Sequence, residues 1–95
     1  MDLLGRLSAF YEKARADSRL SPTHLSLYLA LLHELSNKTD QQSLILNRVL
    51  IMGKAKISSR VTYHKCMREL HQYGYINYVP NNMPGGSEVR MIEYG

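Results

Sequence analysis

Ile57-Ser58-Ser59-Arg60-Val61-Thr62-Tyr63-His64-Lys65-Cys66-Met67-Arg68-Glu69-Leu70-His71-Gln72-Tyr73-Gly74 reads as a helix with both ends marked. Ser58 or Ser59 offers a hydroxyl N-cap, and Gly74 supplies the left-handed residue that closes many helices. Tyr63, Met67, Leu70 and Tyr73, with Cys66, share one face at three- and four-residue spacing and should anchor the helix to a core. Ser59, Arg60, Thr62, His64, Lys65 and Arg68 then point largely away from that anchor.

Upstream, Gly53-Lys54-Ala55-Lys56 reads as a turn, preceded by a short helix over 48–54 that Asn47 caps and that buries Val49, Leu50 and Met52. Leu44-Ile45-Leu46 is too short and too apolar for a free helix and fits a small strand. A polar loop spans Ser36 to Ser43. Before it, Ser21-Pro22 pairs a hydroxyl cap with proline at the first helical position, so a helix runs from there to about Leu35. Its apolar face carries Leu25, Tyr28, Leu29, Leu32 and Leu35, widened by Leu27 and Leu31. Residues 2 to 17 form a first amphipathic helix, capped by Asp2 and ending on Lys13 and Arg15. Downstream, Tyr75 to Val79 and Glu88 to Ile92 alternate like strands around the turn formers of residues 80–87. The expected fold class is mainly α with a small β-sheet.

Charge follows the same map. Residues 41 to 68 hold Arg48, Lys54, Lys56, Arg60, Lys65 and Arg68 and no carboxylate, although the whole chain is only +4. An unneutralised basic stripe around an exposed helix face is what a duplex phosphate backbone selects. A solvated face without a partner is the plain alternative, since charge runs alone are usually that.

Helix, short strand, helix, turn, helix and two-stranded hairpin is an order that resembles the winged helix-turn-helix family. The resemblance rests on the small helix after Asn47, the Ser-Ser-Arg-x-Thr start, Leu70-x-x-x-Gly74-Tyr75-Ile76 and the hairpin. Through Ser21-Pro22-Thr23-His24-Leu25-Ser26-Leu27-Tyr28 and Ile57 to Tyr78, the chain is similar to small winged-helix proteins of Bacteroidetes mobile elements and prophages. It covers roughly residues 20 to 93. The resemblance implies a double-stranded DNA-binding protein, a transcriptional regulator or mobile-element accessory factor, with the helix after Ser58/Ser59 in the major groove.

On that expectation, Arg60 is the candidate for a bidentate guanine contact, Thr62 for a thymine methyl or phosphate, and His64 for either. Lys54, Lys56, Ser58 and Ser59 gather where hydroxyls, backbone N–H groups and the helix dipole attract phosphate, with Lys65 and Arg68 along the helix. Asn81, Asn82, Ser87 and Arg90 are the hairpin's candidates, few of them cationic. Tyr63, Tyr73, Tyr75 and Tyr78 could stack on single-stranded bases, but their spacing is that of a helix anchor and a strand face.

Other chemistries find little footing. His64 and His71 share a helical face, but Cys66 lies about 200° around the helix from His64, and His24 and His33 have no ligand spacing to support them. No metal or other cofactor is expected, and Cys66, the lone cysteine, reads as a buried small hydrophobe in a cytoplasmic protein. Pro84-Gly85-Gly86 precedes a strand and lacks a following Lys-Ser/Thr, so no phosphate loop is present. No enzymatic step, membrane span, secretion signal or small-molecule ligand is expected.

Domain organisation reads as an N-terminal amphipathic helix over 1–19 and a winged-helix domain over 20–93. Leu3, Leu7, Phe10, Tyr11 and Ala14 form the first helix's stripe, for packing on the domain or for a homodimer on a two-fold site. A protein-interaction module in a replication or mobile-element assembly is the competing function.

Overall fold

The structure, a computed structural model, describes residues 3–38, 43–80 and 86–92. In chain order it contains α1 (Leu3–Arg15), α2 (Pro22–Ser36), β1 (Ser43–Ile45), α3 (Arg48–Ala55), α4 (Arg60–Gln72), β2 (Ile76–Val79) and β3 (Glu88–Met91). The caps read from the sequence operate. Ser21 Oγ accepts from the backbone N–H of His24, Asn47 Oδ1 from that of Leu50, and Ser59 Oγ from that of Thr62. Gly74 closes α4 at φ +88°. The expected Asp2 cap lies outside the described residues.

The three strands form one antiparallel sheet in the order β1-β3-β2. Its register sets Leu44 and Tyr78 on either side of Val89. Side chains alternate across a strand, so Leu44, Ile76, Tyr78, Val89 and Met91 turn inward together, while Ile45 and Val79 face out. The helices close over that inner face. Tyr28 of α2 stacks on Phe10 of α1 at 3.6 Å between ring centroids, and Tyr75 meets Phe10 edge-on at 5.5 Å. Ser26 donates to the carbonyl of Ala55, tying α2 to the end of α3.

Three expectations are corrected by packing. The inner face of α2 centres on Leu27, Tyr28, Leu31 and Leu35, with Leu32 also buried, but Leu25 and Leu29 are exposed because only part of a wide leucine surface fits one core. On α3 the buried residues are Ile51, Met52 and Ala55, and Val49 is 70% exposed with Leu50 also outward. Gly53, Lys54 and Ala55 are helical rather than a turn, and the reversal is made at Lys56, which takes the left-handed conformation at φ 60°. Of the first helix's stripe, left open between the two roles, Phe10 and Ala14 are buried within their own chain, Leu3 and Leu7 are partly buried against the same core, and Tyr11 with Leu4 remains exposed. A helix that spends its central aromatic on the core leaves only a flank for any second copy.

Cys66 is buried, and that burial pushes its thiol above the ordinary range. Among the described residues no helix is long and apolar enough to cross a membrane.

Candidate nucleic-acid interface

α4 is held from inside by Tyr63, Cys66, Met67 and Leu70, all buried, as its spacing requires. Two side-chain bonds fix its orientation. The backbone N–H of Tyr78 donates to His71 Nδ1 at 3.0 Å, tying the end of α4 to β2. Glu69 Oε1 lies 2.8 Å from His24 Nε2 on α2. The outer surface then carries Arg60, Val61, Lys65, Arg68 and Gln72, all exposed.

Every described carboxylate has a cation or imidazole near it: Glu12 with Arg15, Asp17 with Arg19, Glu34 with Lys54, Glu69 with His24 and Glu88 with Arg90. No ion pair among the described residues involves Lys56, Arg60, Lys65 or Arg68. The basic stripe of the sequence therefore separates into parts. Lys54 does not stand with Lys56: its ammonium is 2.7 Å from Glu34 and 2.9 Å from His33 Nδ1, beside an open groove of about 420 Å³ between α2 and α3. Arg48, at the start of α3, lies 3.4 Å from Met52 Sδ.

At the α3–α4 turn, Lys56, Ile57, Ser58, Ser59 and Thr62 line a shallow pocket of about 190 Å³, completed by Thr23 from α2. Ile57 is buried and pins the turn, while Lys56, Ser58 and Ser59 remain exposed. Ser59 Oγ is already engaged as the cap, so Ser58 is the freer hydroxyl. Further along α4, His64 Nδ1 lies 2.9 Å from the carbonyl of Arg60 and must donate to it, leaving Nε2 of the neutral ring as an acceptor. His64 also lines a cleft of about 240 Å³ with Arg48, Tyr63, Tyr78 and Ser87 at the base of the β2–β3 hairpin.

The hairpin contributes less. Arg90 is exposed on β3 and lies 3.8 Å from Glu88, while Asn81 and Asn82 lie outside the described residues. Tyr63, Tyr75 and Tyr78 are buried and Tyr73 is half-buried, so these rings present no stacking platform. Thr23 and Val61 were missed from the sequence. Val61 was legible, since Val61, Lys65, Arg68 and Gln72 repeat at helical spacing opposite the buried face; Thr23 was not, since only α2–α4 packing brings it there.

Packing also gathers ligand-type side chains from two helices. Ligand atoms of His24, Cys66 and Glu69 lie within 4.8 Å of one another, a set that no single-helix spacing reveals. The imidazole is nonetheless committed. His24 Nδ1 accepts the backbone N–H of Ser21 at 2.9 Å, with Ser21 Oγ at 2.8 Å, so the ring proton sits on Nε2 and donates to Glu69. Nε2 would have to lose that proton, and Nδ1 would lose its acceptor role, before a cation could be held. The His24–Glu69 pair reads as a clasp between α2 and α4. No protein-family model, curated protein or solved structure matches the chain.

Proposed function

We propose that the chain is a double-stranded DNA-binding protein of winged helix-turn-helix type, acting as a transcriptional regulator or mobile-element accessory factor without a catalytic step. The carrying observation is the set of unpaired cations, Lys56, Arg60, Lys65 and Arg68, on and beside the outer face of a helix whose inner face is locked into the core. The order of helices and strands, with β1 paired to β3, supports the same reading. In it, α4 enters the major groove. Lys56 and Ser58, near the N-terminal end of α4, meet phosphate, and Arg60, Thr62 and His64 face base edges. Lys54, paired with Glu34, takes no part.

Titration of fluorescent duplexes across a range of ionic strength tests this directly. Three phosphate-neutralising cations, Lys56, Lys65 and Arg68, give a log–log slope of about −2.7. Absence of binding at low salt, or affinity unchanged by salt, overturns the reading. Arg60→Ala should narrow the difference between preferred and random duplexes, while Lys56→Ala should weaken both alike.

For a homodimer, the available surface is the flank of α1 bearing Leu4 and Tyr11, seven residues apart and both exposed. Pairing there would place two copies of α4 on a two-fold site. Sedimentation on a palindromic duplex should report two protomers per duplex, and one protomer per duplex at saturation sinks the dimer.

A further inference from the structure

Val61 is 78% exposed on the first turn of α4. At ~100° per residue it points about 190° away from the mean direction of Tyr63, Cys66, Met67 and Leu70. It therefore sits at the middle of the outer face, on one stripe with Lys65, Arg68 and Gln72 and next to Arg60. Single exposed apolar side chains are common on protein surfaces. This one differs by its place, at the crest of the helix and among cations that have no ion-pair partner among the described residues. An isopropyl group neither donates nor accepts a hydrogen bond, so on a base edge it can favour only carbon. In the major groove thymine alone of the four bases presents a methyl group. Against cytosine or guanine the same side chain would strip water from an amino or carbonyl group and return no bond.

Resting on the DNA-binding reading above, we propose that Val61 is a specificity-determining residue that packs on the C5 methyl of a thymine. The preferred duplex then carries a thymine opposite the first turn of α4, while Arg60, Lys65 and Arg68 hold the polar groups around it. Val61 makes its discrimination by carbon contact alone, so it reports a methyl group and not a hydrogen-bonding pattern.

The test begins with selection of duplexes from random sequence by the full chain. Each thymine of the winning site is then replaced singly by deoxyuridine, which removes only the methyl. Affinity is measured for the wild-type chain and for Val61→Ala, whose circular dichroism should be unchanged because the side chain is exposed. One thymine should lose about fourfold in affinity without its methyl for the wild-type chain. At that position Val61→Ala should be indifferent to the methyl. The proposal is overturned if no thymine shows methyl dependence, or if Val61→Ala retains it at the same thymine. A wild-type chain that binds all duplexes alike, with the expected salt slope, removes this inference and leaves DNA binding standing. No binding at low ionic strength removes both.

Discussion

The corner where α1 meets α2 and the outer face of α4 are both rich in charge, yet they use it in opposite ways. At the corner, Arg19 donates to both carboxylate oxygens of Asp17, at 2.9 and 2.8 Å, and lies over the Tyr73 ring. Tyr75 donates its hydroxyl to the same carboxylate at 2.8 Å, and the Lys13 ammonium sits 4.5 Å from the Tyr75 ring centroid. The Arg19 guanidinium holds the Asp17 carboxyl well below the usual carboxylate range. On α4, Arg60, Lys65 and Arg68 form no such pairs among the described residues. Charge that is spent inside the fold serves stability; charge left without a partner is available to something else. The difference teaches that a count of lysines and arginines locates a binding face only after the internal pairs have been removed from it.

The largest effect on the packed interior is expected from alkali. Burial pushes the hydroxyls of Tyr28, Tyr63 and Tyr75 up to about 12. The ordinary value is near 10, so the folded state retains these protons after the unfolded chain has lost them. Their contribution is therefore present below pH 10 and lost as pH rises from 10 to 12. Unfolding followed by circular dichroism should coincide with phenolate absorbance in that interval; separate ionisation of buried tyrosines in a still-folded chain would contradict it. Phe10→Ala comes next. It removes the ring stacked between α1 and α2 and should cost about 3–5 kcal/mol in urea denaturation. A loss below about 1 kcal/mol would mean that α1 is an appendage and not part of the core.

A matched pair of arginines sharpens the contrast. Arg19→Ala should lower the melting temperature and leave DNA affinity alone. Arg68→Ala should leave stability within about 0.5 kcal/mol and reduce the salt slope by roughly one. If Arg68→Ala destabilises and Arg19→Ala weakens binding, the two sites do not divide the charge in this way. Lys56→Gly is the smallest effect and separates the two roles at one residue. A non-glycine residue at positive φ carries strain, so glycine should add about 0.5–1 kcal/mol of stability. On the proposed DNA-binding reading the same change should also weaken binding, by removing a cation from phosphate. A destabilised variant would show that the lysine side chain supports the turn.

Much of the chain was legible because the decisive signals were local. Ser21, Asn47 and Ser59 each cap a backbone N–H three positions ahead, and Gly74 ends α4 four positions after Leu70. The alternation in β2 and β3 is equally local. Leu25 and Val49 misled for the reason that Lys54 did: their fate depends on another element. Hydrophobicity says that a side chain prefers burial, not that a neighbour is there to cover it. Likewise a lysine gives no sign that Glu34, twenty residues earlier, will reach it.

The sequence by itself determined where α2, α3 and α4 start, where α4 stops, the alternation of the hairpin strands and which face of α4 is anchored, because those follow from interactions within a turn or two of chain. Tertiary structure alone decided that Phe10 and Ala14 belong to the core and that Thr23 joins the turn pocket. It also decided that Glu69 clasps His24, and that Lys54 is paired while, among the described residues, Lys56, Arg60, Lys65 and Arg68 are not. The physical reason is range: hydrogen-bonded caps act along the chain, but the partners of a charge and the cover over a leucine are supplied by segments that meet only after folding.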